Sequence, residues 1–202
     1  MRPSSGVRDE KRLKGTFSGQ RGAQVESELR SYISLMIKFG VRSYLEVGCK
    51  NGDTFYEIMT SLPPGSVGVA LDIGQRKHRD RLTRAVDELK RIGYSVQLIL
   101  GDSRREAIVA QAALFAPFDM VFIDGDHSYK TAKSDWENYG PMGKMVGFHD
   151  IHGPEDWKEK GLAVMEVPKL WREIIESGRP FVEFFDEEEQ VGIGVLLEGL
   201  RA

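Results

Sequence analysis

The chain has 202 residues, of which 41% are hydrophobic and 29% are charged. This length and composition predict a globular protein with one sizeable core. The formal net charge of -3 gives no electrostatic reason to expect nucleic acid as a partner, and no apolar run is long enough to cross a membrane. The single cysteine, Cys49, excludes an internal disulfide and predicts a reducing, cytoplasmic setting.

The two ends of the predicted domain differ in character. Residues 1–21 are basic and polar and lack an apolar face, so we expect a flexible tail there. We expect residues 22–202 to form a single domain. It begins with a helix from about Val25 to Phe39, where apolar residues recur at helical spacing.

Apolar runs and helical patterns alternate through the rest of the chain. Five runs, at 43–48, 67–72, 95–100, 119–124 and 144–150, are each followed by a helical pattern, which predicts a parallel sheet with helices on both faces. Two further runs, 181–186 and 191–197, are separated by only residues 187–190, too few for a parallel crossover, and they predict an antiparallel hairpin. The predicted fold is therefore α/β, with a Rossmann-like, seven-stranded, mostly parallel sheet.

A glycine-containing loop, EVGCKNGDT, follows the first predicted strand at residues 46–54. Gly48 and Gly52 would let the backbone turn tightly and approach a ligand closely. A dinucleotide fingerprint would be G-x-G-x-x-G, whereas these two glycines lie four positions apart. Glu46 would repel a pyrophosphate but attract an ammonium group. The loop therefore favours a ligand with a positive charge.

Polar residues also follow the second and third predicted strands. Asp72 ends the second strand, where an acid can accept hydrogen bonds from both hydroxyls of a ribose. Gly101, Asp102 and Ser103 follow the third strand, and they could hydrogen-bond the edge of an adenine. The carboxyl ends of parallel strands lie at one edge of a sheet, so these groups would face one ligand. An ammonium group, a ribose and an adenine together indicate S-adenosylmethionine.

Several motifs resemble those of class I S-adenosylmethionine-dependent methyltransferases: EVGCKNGDT, ALD (70–72), LGDS (100–103), FDMVFIDGDHSY (118–129) and the terminal hairpin. The resemblance covers about residues 25–198. The motif IDGDHSY, followed by a strand that ends in HD, is similar to the methyltransferase family 24 group, which is itself similar to macrocin-type and cephalosporin-cluster O-methyltransferases. This resemblance implies methyl transfer to a hydroxyl of a small molecule or sugar. It implies that S-adenosylmethionine is contacted by Glu46, Gly48, Gly52, Asp72, Asp102 and Ser103.

Charged residues cluster after the fourth and fifth predicted strands. Asp124, Asp126 and His127 follow the fourth strand, and His149 and Asp150 end the fifth. The fold implied by the resemblance makes these strands neighbours, so the five side chains would converge beside the methyl group of the cofactor. Two chemical uses of the cluster are open.

In the first use, Asp124, His149 and Asp150 hold a divalent cation, which lowers the pKa of the acceptor hydroxyl and orients it. Oxygen ligands suit magnesium or calcium. The sugar O-methyltransferases that this chain resembles carry an acidic pair where it has His149 and Asp150. A histidine ligand favours manganese, zinc or iron, or no metal at all. Whether the cation is magnesium or manganese, or is present, is open at this point.

In the second use, Asp126 or His127 is a general base that takes the hydroxyl proton without a metal. Asp126 matches the position of the base that the resemblance implies. His127 is suited to the role because the ordinary pKa of histidine is about 6.5.

Other interpretations stay open. The D-G-D-H segment could be a turn in which Asp124 caps the following helix. The chain could bind the cofactor without transferring a methyl group, or it could be a metal-dependent enzyme such as a hydroxylase. The helix from Val25 could cover the cofactor pocket or pack against a second subunit of a homo-oligomer. The segment around Trp157 could fold over the acceptor as a lid.

Overall fold

The structure, a computed structural model, describes residues 25–153, 165–185 and 191–199. The tail predicted for residues 1–21 and the lid predicted around Trp157 lie outside these ranges. The predicted single domain over residues 22–202 likewise extends beyond them and stays a prediction.

The described strands form one seven-stranded sheet. They are β1 (Ser43–Val47), β2 (Val67–Asp72), β3 (Ser95–Leu100), β4 (Phe118–Ile123), β5 (Gly143–His149), β6 (Phe181–Phe184) and β7 (Ile193–Leu196). Their order across the sheet is β3-β2-β1-β4-β5-β7-β6. The first five are parallel, and β7 is antiparallel to both of its neighbours. The predicted Rossmann-like sheet with its C-terminal antiparallel hairpin is confirmed.

Helices cover both faces of the sheet. They are α1 (Glu26–Lys38), α2 (Asp53–Ser61), α3 (Arg76–Arg91), α4 (Glu106–Ala113), α5 (Tyr129–Tyr139) and α6 (Val167–Glu176). Apolar side chains of α1, α2 and α3 form a core on one face, and those of α4, α5 and α6 form a second core on the other. A central sheet buried on both faces explains why its strands are apolar runs rather than alternating patterns.

The first helix packs against the sheet. Its residues Leu29, Tyr32 and Met36 belong to the core that it shares with α2 and α3. The ring centroid of Tyr32 lies 4.9 Å from that of Phe122 in β4. The apolar face of α1 is therefore used within this chain.

The carboxyl ends of the parallel strands meet at one edge. The backbone N–H of Gly48 donates to the carbonyl of Leu71 at 2.8 Å, and the N–H of Asp124 donates to the carbonyl of Val47 at 2.9 Å. The strand order switches between β1 and β4, because β2 and β3 lie on one side of this pair and β5 lies on the other. Ligands bind at such a switch point in open α/β sheets. In the described part of the chain, every helix is too short or too polar to cross a membrane.

Candidate active site

A cavity of about 920 Å³ lies at this edge of the sheet, over the junction of β1 and β4. Its volume is in the range that holds a cofactor-sized ligand. The loops that follow all five parallel strands contribute to its wall. Every residue that the sequence predicted for the site lines the cavity except Gly52: Glu46, Gly48, Asp72, Asp102, Ser103, Asp124, Asp126, His127, His149 and Asp150.

The two glycines of the first loop have different structural roles. Gly48 has a φ of 98°, and a Cβ atom at this position would lie well under 3.0 Å from backbone atoms of Asp124 and Gly125. Gly52 precedes α2 with a φ of 83°, and a Cβ there would lie 2.9 Å from a side-chain carbon of Leu82 in α3. Gly48 therefore lets the two central loops approach each other, whereas Gly52 lets α2 pack on α3.

Glu46 is a buried acid in the wall of the cavity, with 1% of its surface exposed. The hydroxyl of Tyr44 donates to Glu46 Oε2 at 2.6 Å. Burial raises the pKa of Glu46 to about 8, although the hydrogen bond from Tyr44 opposes the rise. An approaching cation would favour the ionised carboxylate, so this site is suited to an ammonium group.

Asp72 is held in place by two backbone groups. Its Oδ2 accepts from the N–H of Lys50 at 2.8 Å, and its Oδ1 accepts from the N–H of Gly74 at 2.7 Å. Lys50 has a φ of 48°, which is uncommon for a residue other than glycine. The two bonds fix the carboxylate at the cavity wall, and each oxygen keeps a further lone pair for a ligand hydroxyl.

Asp102 is engaged by its neighbour Arg104. The guanidinium of Arg104 donates to both carboxylate oxygens at 2.8 Å, and the Arg104 N–H donates to Oδ1 at 3.1 Å. The hydrogen bonds from Arg104 lower the pKa of Asp102 to about 2. This pair was not predicted from the sequence, although Arg104 follows Asp102 by only two positions.

Helix α5 supports the loop after β3. The hydroxyl of Tyr139 donates to the carbonyl of Ser103 at 2.7 Å. One turn earlier, Asp135 also lines the cavity with only 1% of its surface exposed. Burial raises the pKa of Asp135 to about 6, against hydrogen bonding by the Ser103 side chain, which lowers it.

Asp135 was not among the predicted site residues, although the sequence carries a signal for it. Ala132, Asp135 and Tyr139 follow one another at helical spacing, and all three are buried. A carboxylate within the buried stripe of an amphipathic helix needs a specific reason to be there.

The acceptor end of the cavity contains a histidine–aspartate pair. His127 Nδ1 lies 2.9 Å from Asp150 Oδ2, as expected for an N–H donated to a carboxylate. The hydrogen bond to Asp150 raises the pKa of His127, although burial works against it. Asp150 itself adopts a φ of 56°, an uncommon conformation for a residue other than glycine.

Asp126 stabilises the start of α5. Its Oδ1 accepts from both the N–H and the hydroxyl of Ser128, and Ser128 is the N-cap residue, whose hydroxyl accepts from the N–H of Thr131. These bonds lower the pKa of Asp126. The cap that the sequence analysis considered for Asp124 is thus made by Ser128.

His149 lies between the two carboxylates that were predicted to join it around a cation. Its Nδ1 is 3.3 Å from Asp124 Oδ1 and 3.2 Å from Asp150 Oδ1. Burial alone would lower the pKa of His149, but the two carboxylates outweigh it and raise the pKa to about 10. The structure therefore brings Asp124, His149 and Asp150 together as predicted, with the imidazole facing both acids.

A second combination of these residues has the spacing of a metal site. Asp124 and Asp150 each offer a carboxylate oxygen and His127 offers a ring nitrogen, and these three atoms all lie within 4.8 Å of one another. Two carboxylates and one imidazole are a donor set that fits manganese, iron or zinc as well as magnesium. Asp124, His127 and Asp150 therefore fit a divalent cation, and the predicted set with His149 in place of His127 stays a prediction.

Comparison with known proteins places the chain in a family. A family model described as a methyltransferase domain, of the family 24 type, matches residues 45–151, which is more than half of the chain. The chain belongs to this methyltransferase family, and the predicted class I S-adenosylmethionine-dependent methyltransferase is confirmed. No curated protein sequence matches the chain.

Solved structures resemble the chain over most of its length. An O-methyltransferase from Bacillus cereus in complex with SAH is 15% identical, with a TM-score of 0.65, and the match covers 94% of this chain and 92% of that one. The O-methyltransferase TomG from Streptomyces achromogenes, involved in tomaymycin synthesis and solved with SAM, is 16% identical, with a TM-score of 0.65 and coverages of 92% and 86%. Cofactor-bound Rv0187 from MTB is 15% identical, with a TM-score of 0.67 and coverages of 98% and 94%. At these identities the likeness shows the fold.

Proposed function

We propose that this protein transfers the methyl group of S-adenosylmethionine to a hydroxyl of an uncharged small molecule, such as a sugar, with His127 as the general base. The observation that carries the proposal is the His127–Asp150 pair at the acceptor end of the cavity. Two of the similar structures are O-methyltransferases with SAH or SAM bound, which supports both the methyl donor and oxygen as the acceptor atom.

The donor half of the cavity matches the chemistry of the cofactor. Glu46 is suited to the ammonium group, and Asp72, fixed by two backbone N–H groups, has lone pairs left for the ribose hydroxyls. Gly48 lets the loop after β1 approach the loop after β4, which would bring the donor and acceptor close together. Proximity and alignment are a large part of catalysis in transfers between two bound substrates.

The acceptor half contains a base that can be held in one tautomer. Because Nδ1–H is donated to Asp150, Nε2 of His127 is the nitrogen that can accept a proton. In the proposed transfer the acceptor oxygen would attack the methyl carbon, the bond between that carbon and the sulfur of the methyl donor would break, and Nε2 of His127 would take the hydroxyl proton. The products are the methyl ether and S-adenosylhomocysteine, and the Asp150 carboxylate stabilises the imidazolium that forms.

The geometry favours His127 over Asp126 as this base. The Oδ1 of Asp126 already accepts two hydrogen bonds from Ser128, which lower its pKa and weaken it as a proton acceptor. The pKa of His127 is raised instead. Three carboxylates at this end of the cavity, Asp124, Asp126 and Asp150, would also repel an anionic acceptor, which supports an uncharged substrate.

A metal-assisted form of the same transfer is the second candidate, because Asp124, His127 and Asp150 have the spacing of a cation site. A divalent cation bound there would supply an electrostatic pull on the acceptor oxygen and lower the pKa of the hydroxyl. In that case His127 would be occupied as a ligand, and it could not also act as the base.

The test is methyl transfer from S-adenosylmethionine to a panel of sugars and phenols, followed by mass spectrometry of the products. His127→Asn and Asp150→Asn should keep their affinity for S-adenosylhomocysteine but lose about 100-fold or more in kcat, the usual contribution of a general base. His152→Asn is the matched control, since His152 does not line the cavity. Failure of the wild-type protein to bind S-adenosylhomocysteine, or full activity in His127→Asn, would refute the proposal.

Chelation separates the two candidates. Activity that survives EDTA supports the metal-free base. Activity that is lost with EDTA and restored by manganese or magnesium supports the cation held by Asp124, His127 and Asp150.

A further inference from the structure

Glu166 stands at the start of α6 and contacts the loop that carries His127. It is the N-cap residue of α6 and is half-buried. Met165, the residue before it, lines the cavity, whereas Glu166 itself does not. The chain that leads into α6 therefore reaches the site, although the proposed chemistry uses no residue of this segment.

Two hydrogen bonds join Glu166 to the main chain on either side of Ser128. The N–H of Glu166 donates to the carbonyl of His127 at 2.8 Å. The N–H of Tyr129 donates to Glu166 Oε2 at 3.0 Å, across 37 positions of the chain. One residue thus holds both His127 and Tyr129, and the two bonds close a ring that leaves the main chain between them little freedom to move.

The bond from Tyr129 also satisfies the end of a helix. Tyr129 is the first residue of α5, and the N–H groups in the first turn of a helix have no partner within that helix. The hydroxyl of Ser128 accepts from the N–H of Thr131, and Glu166 accepts from the N–H of Tyr129. A carboxylate at this end of a helix is further stabilised by the helix dipole. An acid at position 166 is therefore suited to holding the start of α5.

The ring of His127 depends on where its main chain lies. The Nδ1 of the ring is 2.9 Å from Asp150 Oδ2. A shift of the ring by about 1 Å would spoil this hydrogen bond, because Asp150 belongs to a different loop and would not follow. The bonds between Asp126 and Ser128 run within the loop and connect it to no other element. The connection of this loop to α6 is made by Glu166.

We infer that Glu166 is a positioning residue for the proposed base. Its carboxylate holds the start of α5 and its N–H holds the carbonyl of His127, so that the imidazole stays paired with Asp150. The inference rests on the proposed function, because it takes His127 as the base.

The first experiment needs no acceptor. A ring N–H that is donated to a carboxylate is protected from exchange with water, so the Nδ1–H of His127 should give a signal in a nitrogen–proton correlation spectrum of protein with isotope-labelled histidine. Loss of the signal in His127→Asn assigns it. In Glu166→Ala the proton should exchange at least about tenfold faster, the factor expected when a hydrogen bond to a charged group is lost. Glu166→Gln should restore the protection, since its side-chain oxygen can still accept from Tyr129.

The second experiment measures methyl transfer to the sugar or phenol that gives the most product. Glu166→Ala should lower kcat about tenfold, because misplacement of the base slows the transfer, and should leave the affinity for S-adenosylhomocysteine unchanged. The double variant of Glu166→Ala and His127→Asn should be within about twofold of His127→Asn alone, because a positioning residue then has no base to position.

Glu173→Ala is the matched control. Glu173 lies in the same helix, and its Oε2 accepts from the hydroxyl of Tyr129 at 2.5 Å. This variant removes a contact between α5 and α6 without removing any bond to the main chain of the loop. It should keep both the ring signal and the wild-type kcat.

Several results would overturn the inference. One is an unchanged ring signal and kcat in Glu166→Ala. Another is a double variant much slower than His127→Asn alone, because Glu166 would then act independently of His127. Equal losses in Glu173→Ala and Glu166→Ala would reduce Glu166 to a general contact between two helices. Wild-type protein that binds no S-adenosylhomocysteine, or that methylates no acceptor, would instead overturn the proposed function itself.

Discussion

Replacing Gly48 by alanine tests whether the loops after β1 and β4 are in close contact. The substitution has two costs. A side chain at a φ of 98° is strained, which costs about 1–2 kcal/mol of the free energy of unfolding. The new Cβ would also overlap backbone atoms of Asp124 and Gly125, which cannot rotate away as a side chain can. Overpacking of this kind costs about 1–3 kcal/mol more.

Gly93 provides a matched control for the backbone term. It has the same φ of 98°, but a Cβ there would meet nothing within 4 Å. Gly93→Ala should therefore lose only the about 1–2 kcal/mol of backbone strain, and the difference between the two variants isolates the contact. Gly93 also lies away from the cavity, so its substitution should leave the affinity for S-adenosylhomocysteine unchanged.

Urea unfolding and calorimetry with S-adenosylhomocysteine measure the two effects. Gly48→Ala should unfold at a clearly lower urea concentration than Gly93→Ala and should bind the ligand more weakly than wild type. Equal free energies of unfolding in the two variants, with equal ligand affinity, would show that the close approach of the two loops is wrong.

Three further predictions concern charges and hydrogen bonds around the cavity. Because the pKa of Glu46 is raised to about 8, its carboxyl group is protonated near neutral pH. Binding of the cofactor's ammonium group should therefore release a proton, and the affinity should increase as the pH rises toward 8. Calorimetry in buffers of different ionisation enthalpy measures this proton release. Tyr139→Phe removes the donor to the Ser103 carbonyl and should cost about 1 kcal/mol of stability in urea unfolding. Arg104→Ala should raise the pKa of Asp102 from about 2 toward the ordinary aspartate value, measurable by NMR titration of its carboxyl group.

Each of these predictions has a result that would contradict it. Glu46→Gln should bind without the proton release, so release that persists in this variant would assign the proton to another group. A Tyr139→Phe protein as stable as wild type would mean that the hydroxyl contributes nothing net. An Asp102 pKa that stays low without Arg104 would mean that other hydrogen bonds hold it down.

The strands of the sheet could be predicted because each of them is a recognisable apolar run in the sequence. Strands buried on both faces need continuous apolar runs, and the four residues between the last two runs allow only a hairpin. The placement of β7 between β5 and β6 could not be obtained from local patterns, since it depends on packing between segments distant in the chain. The resemblance to a known class of enzymes made β4 and β5 neighbours, but no prediction placed the strands of the hairpin within the sheet.

The candidate site could be predicted as a set of residues but not as a set of contacts. Side chains that end neighbouring strands must meet, which is why Asp124, His149 and Asp150 lie together. Which carboxylate pairs with which imidazole depends on distances of a few tenths of an ångström and on the turn at Asp150. No sequence pattern carries that information, so the pairing of His127 with Asp150 is seen only in the structure.

The position of β7 has a consequence for the order in which the site can form during synthesis. The groups proposed to hold the cofactor follow β1, β2 and β3, which leave the ribosome first. The acceptor side depends on the end of β5, which β7 borders on the side away from β4. His149 in β5 pairs with Ile193 in β7, and the N–H of Ile151 donates to the carbonyl of Gly192 at 3.2 Å. We therefore expect the acceptor side of the site to be complete only after the last strand has been synthesised and inserted beside β5.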